Sequence, residues 1–154
     1  MQTFVPFTDT WHTARTLDRQ RLGKQRIECQ QILQTLAGES HGWAKHPAVR
    51  MWRGHERYLA TYTVVMIREW LGRGYHDTRL PVIRELANHF PASAMDAPPW
   101  WGDLRIHDSH LASLLRKNRE HYQAAVRLSD VTVERLLDIY PGYVWPTELV
   151  EYAS

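Results

Sequence analysis

Residues 17–33 read LDRQRLGKQRIECQQIL. Four cations, Arg19, Arg21, Lys24 and Arg26, stand here against two acids, Asp18 and Glu28. At a helical turn angle of about 100° per residue, Leu22, Cys29, Leu33 and Leu36 fall on one stripe. Gln20, Arg21, Lys24, Glu28 and Gln31 gather on the far side. The spacing predicts an amphipathic helix with an apolar face for a core and a basic face for something else. Glu28 is the single carboxylate on that basic face. Among cations it is expected to stay ionised, and an ionised carboxylate facing a polyanion invites a chemical explanation. A second reading stays open: a solvated face on which Lys24 and Glu28 form an intrahelical ion pair.

The chain has 154 residues, which suits one domain spanning 1–154. Its net charge is +2, so nucleic-acid binding would need a local basic patch rather than overall charge. Seven Trp and seven Tyr are many for this length and suit either wet interfaces and base stacking or an aromatic core. Cys29 is the only cysteine, which excludes an internal disulfide and a cysteine-rich zinc site. Its place on the apolar stripe predicts a buried thiol. The opening MQTFVPFTDTW lacks the pattern of a signal peptide, and no apolar run approaches membrane-spanning length. A cytoplasmic, nucleoid-associated protein with no membrane contact is the expectation.

Outward from the first stretch, Met1 to Pro6 reads as an extended lead-in. Thr8, Asp9, Thr10 and Thr13 are candidate N-caps for a helix from about Ala14 to Ala37. Gly23 inside it lets another backbone or a ligand come close. Gly38 to Pro47 reads as a surface loop, the class of segment that most often carries function. Its His41 and His46 lack the acid or cysteine partners of a metal set. A core helix is expected from Ala48 to about Leu71, with Val49, Trp52, Leu59, Tyr62, Val65, Met66, Trp70 and Leu71 on its apolar face. His55 and Glu56 within it read as structural. A shorter helix follows over Leu80 to His89, with Pro81 in its first turn.

The segment Pro98-Pro99-Trp100-Trp101-Gly102 is stiff and aromatic; its two indoles either stack on nucleobases or close over the core. Asp108 or Ser109 can cap a helix from His110 to Val126. Ser109, His110, Ser113, Arg116, Lys117 and Arg119 would form a second basic, hydroxylated edge suited to phosphates. Ser129 to Ile139 completes an all-α, compact bundle of about four to five helices.

No phosphate-cradling P-loop, dinucleotide turn, nucleophile elbow or HExxH motif is present. One carboxylate on a basic face, a second basic edge and surplus aromatics fit metal-free chemistry on a nucleic acid. Cleavage of a glycosidic bond passes through an oxocarbenium-like state that a fixed carboxylate stabilises. Reaching a base in a duplex requires flipping it out.

The first stretch, together with HPAVRMW, PPWWGD, SHLASLLRK and YVWP, resembles a family of small bacterial proteins, the pyrimidine dimer DNA glycosylases, over nearly the whole chain. It is more distantly similar to the phage pyrimidine-dimer glycosylase/AP lyase, mainly in the first helix. That resemblance implies a compact helical DNA glycosylase acting on double-stranded DNA, with no metal or other cofactor and a monomer as the default. Glu28 would be the catalytic carboxylate. Gln20, Arg21, Lys24 and Arg26 would hold phosphates or the lesion strand, and Arg116 and Lys117 a second phosphate edge. The phage enzyme attacks the sugar C1′ with an N-terminal threonine amine exposed after Met removal. Here Gln2 is large, so Met1 is expected to be retained. The Met1 amine is then the nucleophile, or Glu28 directs a water and no lyase step occurs. Arg21 stands where the phage pattern has His. The target stays open between a photodimer and another modified pyrimidine, and the role between repair and defence against phage. Two further classes are weighed: a non-catalytic nucleic-acid-binding module stacking bases on Trp100 or Trp101, and a metal-dependent nuclease using His107 and His110.

Overall fold

Asp9 starts the first helix: its carboxylate accepts from the backbone N–H groups of Trp11 at 2.9 Å and His12 at 3.2 Å. The computed structural model describes residues 1–153. In it, α1 (Thr10–Thr16) is a separate helix from α2 (Arg19–Leu36), so the single helix expected from Ala14 to Ala37 is broken. The break lies at Leu17, whose ψ of 133° is extended. Asp18 beside it is anchored twice, its N–H donating to the Tyr122 hydroxyl at 3.2 Å and its carboxylate accepting from Asn118 at 3.3 Å. Tertiary hydrogen bonds override helix propensity there.

A second expected helix is also divided. Pro47 opens the short α3 (Pro47–Arg50), and Gly54, at φ 87°, turns the chain before α4 (Glu56–Gly72). Next come α5 (Leu80–Ala87), a 3₁₀ turn at Ala92–Met95, α6 (Leu104–Lys117), α7 (Arg119–Val126), α8 (Asp130–Ile139) and a 3₁₀ turn at Pro146–Glu148. The all-α class holds, with eight α-helices among the described residues instead of four to five, and no strand. The third long helix begins at Leu104 rather than His110, because Asp103 supplies the N-cap. It breaks at Asn118, which leaves helical geometry (φ −156°, ψ 77°) and caps α7 by accepting from the N–H of His121. Among the described residues no helix is long and apolar enough to cross a membrane.

The chain divides into two compact units, Met1–Thr3 with Arg19–Pro99, and Phe4–Asp18 with the chain from Trp100 onward. In the first, α2 packs chiefly on α4, and α4 on α5. Leu22, Cys29, Ile32 and Leu33 from α2 meet a core that includes Leu59, Tyr62 and Met66 from α4. Each fully buried aliphatic chain contributes roughly 1.5–3 kcal/mol. Leu71, expected on the core face of α4, is exposed. In the second unit, α6 packs on α7 and α8. Leu111, Leu114, Leu115 and Tyr122 are buried there, as their spacing predicts. Ser109, His110 and Ser113 are buried too, which removes them from the expected phosphate edge.

Candidate active site

The apolar stripe of α2 is committed to the first unit's core, so its polar stripe faces outward. Gln20, Lys24 and Gln31 are exposed, and Arg21 and Glu28 are half-buried. Gln20, Lys24 and Glu28 recur every four residues and line one side of about 12 Å of helix. Among the described residues Lys24 makes no ion pair, so the intrahelical pair with Glu28 does not form. Lys24 is left open to solvent, and Glu28 is occupied by something else.

That occupant is the start of the chain. The backbone N–H of Gln2 donates to Glu28 Oε2 at 3.1 Å. The Gln2 carbonyl accepts from Gln25 Nε2 at 2.7 Å, and Gln25 Oε1 in turn accepts from the Tyr62 hydroxyl at 3.0 Å. Thr3 Oγ1 accepts from the indole N–H of Trp52 at 2.8 Å. The first three residues are thus held in the first unit by α2 and by Trp52, which lies between α3 and α4. Standard backbone dimensions keep the Met1 nitrogen within about 4 Å of the Gln2 nitrogen, hence within about 7 Å of the Glu28 carboxylate. Gln2 Nε2 is buried with no hydrogen-bond partner among the described residues.

The electrostatics follow from burial. Tyr62 is fully enclosed, and burial first, then Cys29 and Glu28, pushes its phenol well above the ordinary value, so it remains a proton donor to Gln25. Burial raises the Cys29 thiol to about 12. His46 accepts from the N–H of Ala48 at 3.0 Å and so caps α3. Burial, and then the positive charge of the Met1 α-amino group, hold His46 below its ordinary range. Trp43 stands edge-on to His46 with ring centroids 5.6 Å apart, and is 49% exposed.

Several expected contacts lie elsewhere. Arg26 is 8% exposed; it pairs with Asp77 and lies 4.0 Å over the Trp70 ring, so it is a structural cation rather than part of the open face. Trp100 is 2% exposed and closes over its own core instead of presenting a stacking surface. Trp101 is half-buried, edge-on to His107 at 5.4 Å. In the second unit Arg116 is exposed but donates to the carbonyls of Leu137 and Tyr140 at the end of α8. Lys117 is exposed beside it. His107 and His110 are tied to the backbone of Val5, His107 facing its carbonyl at 2.6 Å and His110 accepting from its N–H at 3.1 Å. His46, Gln25, Tyr62 and Trp43 were not singled out as site residues by sequence. The available signal was the composition of the loop before Pro47, and a glutamine placed toward the apolar side of α2.

No curated protein and no solved structure matches the chain. A family model described as pyrimidine dimer DNA glycosylase matches residues 1–81, more than half of the 154 and the part that contains Glu28 and the seated lead-in; the chain belongs to the pyrimidine dimer DNA glycosylase family.

Proposed function

We propose that the protein excises a damaged or modified pyrimidine from double-stranded DNA, with Glu28 as the catalytic carboxylate and the Met1 α-amine as nucleophile. The observation that carries the reading is the 3.1 Å hydrogen bond from the Gln2 N–H to Glu28 on a basic helix face, which keeps the Met1 nitrogen within about 7 Å of that carboxylate. In the reaction the amine adds to C1′ of the deoxyribose as the C1′–N bond breaks. The base leaves with the bonding pair and takes up a proton. The Glu28 carboxylate stabilises the positive charge that develops at C1′ and O4′. Proton loss from nitrogen and ring opening, with O4′ taking up a proton, then give a Schiff base, from which loss of a C2′ proton drives β-elimination and the 3′ phosphate leaves with the C–O bonding pair. Should water attack instead, Glu28 takes its proton and an intact abasic site results.

Gln20, Arg21 and Lys24 hold the phosphates of the lesion strand, and Lys117 with Arg116 forms a second edge. Trp43, rather than Trp100, offers the stacking surface for an extruded base. The protein works as a monomer without metal or cofactor.

End-labelled duplexes carrying a thymine photodimer or a bulky modified cytosine, incubated in chelator with and without borohydride, test this. A trapped adduct mapping to Met1 is expected. Alkali-labile sites without an adduct would indicate the water route. Glu28→Gln should slow base release about 100-fold or more with DNA affinity unchanged; wild-type release by that variant refutes the assignment.

A further inference from the structure

Gln2 is gripped through both of its backbone polar groups by one turn of α2. Its N–H donates to Glu28 and its C=O accepts from Gln25, three residues earlier on the helix and therefore on a neighbouring line of the same surface. Gln25 is 1% exposed, as is Tyr62, which supports it from α4. The result is a chain of hydrogen bonds running Tyr62 O–H to Gln25, Gln25 N–H to the Gln2 carbonyl, and Gln2 N–H to Glu28. All the donors point toward the carboxylate, and the chain passes through the Gln2 Cα between two separate peptide groups, so it transmits position rather than polarisation. Packing alone does not call for an amide at position 25, since its neighbours along the buried side of α2 are Leu22 and Cys29. A buried amide is tolerated when both its ends are satisfied, and here its oxygen is satisfied by Tyr62 and its nitrogen by Gln2, the residue that leads to Glu28.

We infer that Gln25, held by Tyr62, is a positioning residue: it holds the Gln2 backbone so that the Gln2 N–H fixes one carboxylate oxygen of Glu28 and leaves the other for the sugar. This rests on the reading of Glu28 as the catalytic carboxylate. Gln25 does not touch the DNA; it acts through Gln2.

The test compares Gln25→Leu and Tyr62→Phe with the native protein in single-turnover base release at saturating protein, in affinity for the same duplex, and in the backbone amide resonance of Gln2. Gln25→Leu is expected to slow release about tenfold, the worth of one well-placed hydrogen bond. Affinity should stay within about twofold of native, a shift too small to reflect loss of that bond. The Gln2 amide proton should move in the direction seen in Glu28→Gln. Tyr62→Phe should show the same pattern more weakly. Native release rates in both folded variants overturn the inference. So does parallel loss of rate and affinity, which marks a purely structural role. If Gln25→Leu does not fold, Tyr62→Phe, which keeps the ring, decides alone. Failure of the Glu28 assignment is seen separately, as a native rate in Glu28→Gln.

Discussion

Cys29 and Glu28 are adjacent in sequence and opposite in fate. The apolar stripe placed Cys29 inside, and burial lifts its thiol to about 12, so almost no thiolate exists at neutral pH. Ellman's reagent should leave the native protein unmodified and react at the rate of unfolding in denaturant. Prompt reaction with the native protein would contradict the burial. His110 gives a pH signature. Burial, with the charge of His107 second, pushes it down to about 3 from 6.5. The unfolded chain therefore takes up the proton first. The stabilisation is complete above pH 6.5 and drains away as pH falls from 6.5 toward 3, by at most about 1.4 kcal/mol per pH unit for one proton. Denaturation midpoints across that range should show a flatter acid limb in His110→Asn, whose amide oxygen can still accept from Val5. Burial and exposure were legible where the helical period decides them, as for the buried Leu22 and Cys29 and the exposed Lys24. They were not where a partner distant in the chain decides them: Arg26 lies on the same helix but answers to Asp77, 51 residues on.

At the scale of elements, α2 depends on the absence of a side chain at Gly23. A β-carbon there would stand 3.2 Å from two carbons of the Trp70 ring. That ring cannot easily retreat: its N–H donates to the His76 carbonyl at 2.9 Å, Tyr75 packs 4.3 Å away, and the Arg26 guanidinium lies on its face. Gly23→Ala would gain about 1 kcal/mol of helix propensity and lose more from this crowding. A lower melting temperature is expected, and a higher one would show that Trp70 moves freely. The close approach foreseen at Gly23 is thus made by an indole rather than a ligand. Helices α5 and α8 were readable from Pro81 and from the Ser129 cap. The gap between α1 and α2 was not, since no proline or glycine marks it and the Tyr122 hydroxyl that holds it comes from 104 residues away. The interruption before α4 had its marker in Gly54, and the earlier start of α6 in Asp103.

At the scale of the whole molecule, a net charge of +2 leaves DNA affinity to local cations. Binding should weaken with salt, and Lys24→Gln should lower the slope of log K against log salt by about 0.9, without changing which base is released. An unchanged slope would remove Lys24 from the contact. The all-α class was legible because no segment alternates with period two; the number of helices was not, because their breaks are set by contacts between distant residues. One buried contact also makes the protein its own clock. The Trp52 indole proton is sealed in the core and donated to Thr3, so among seven indole signals it should be a slowly exchanging one. Its exchange rate reports how often the first three residues leave their seat, and therefore whether the amine we propose as the nucleophile waits in place or must be reassembled at every encounter with DNA.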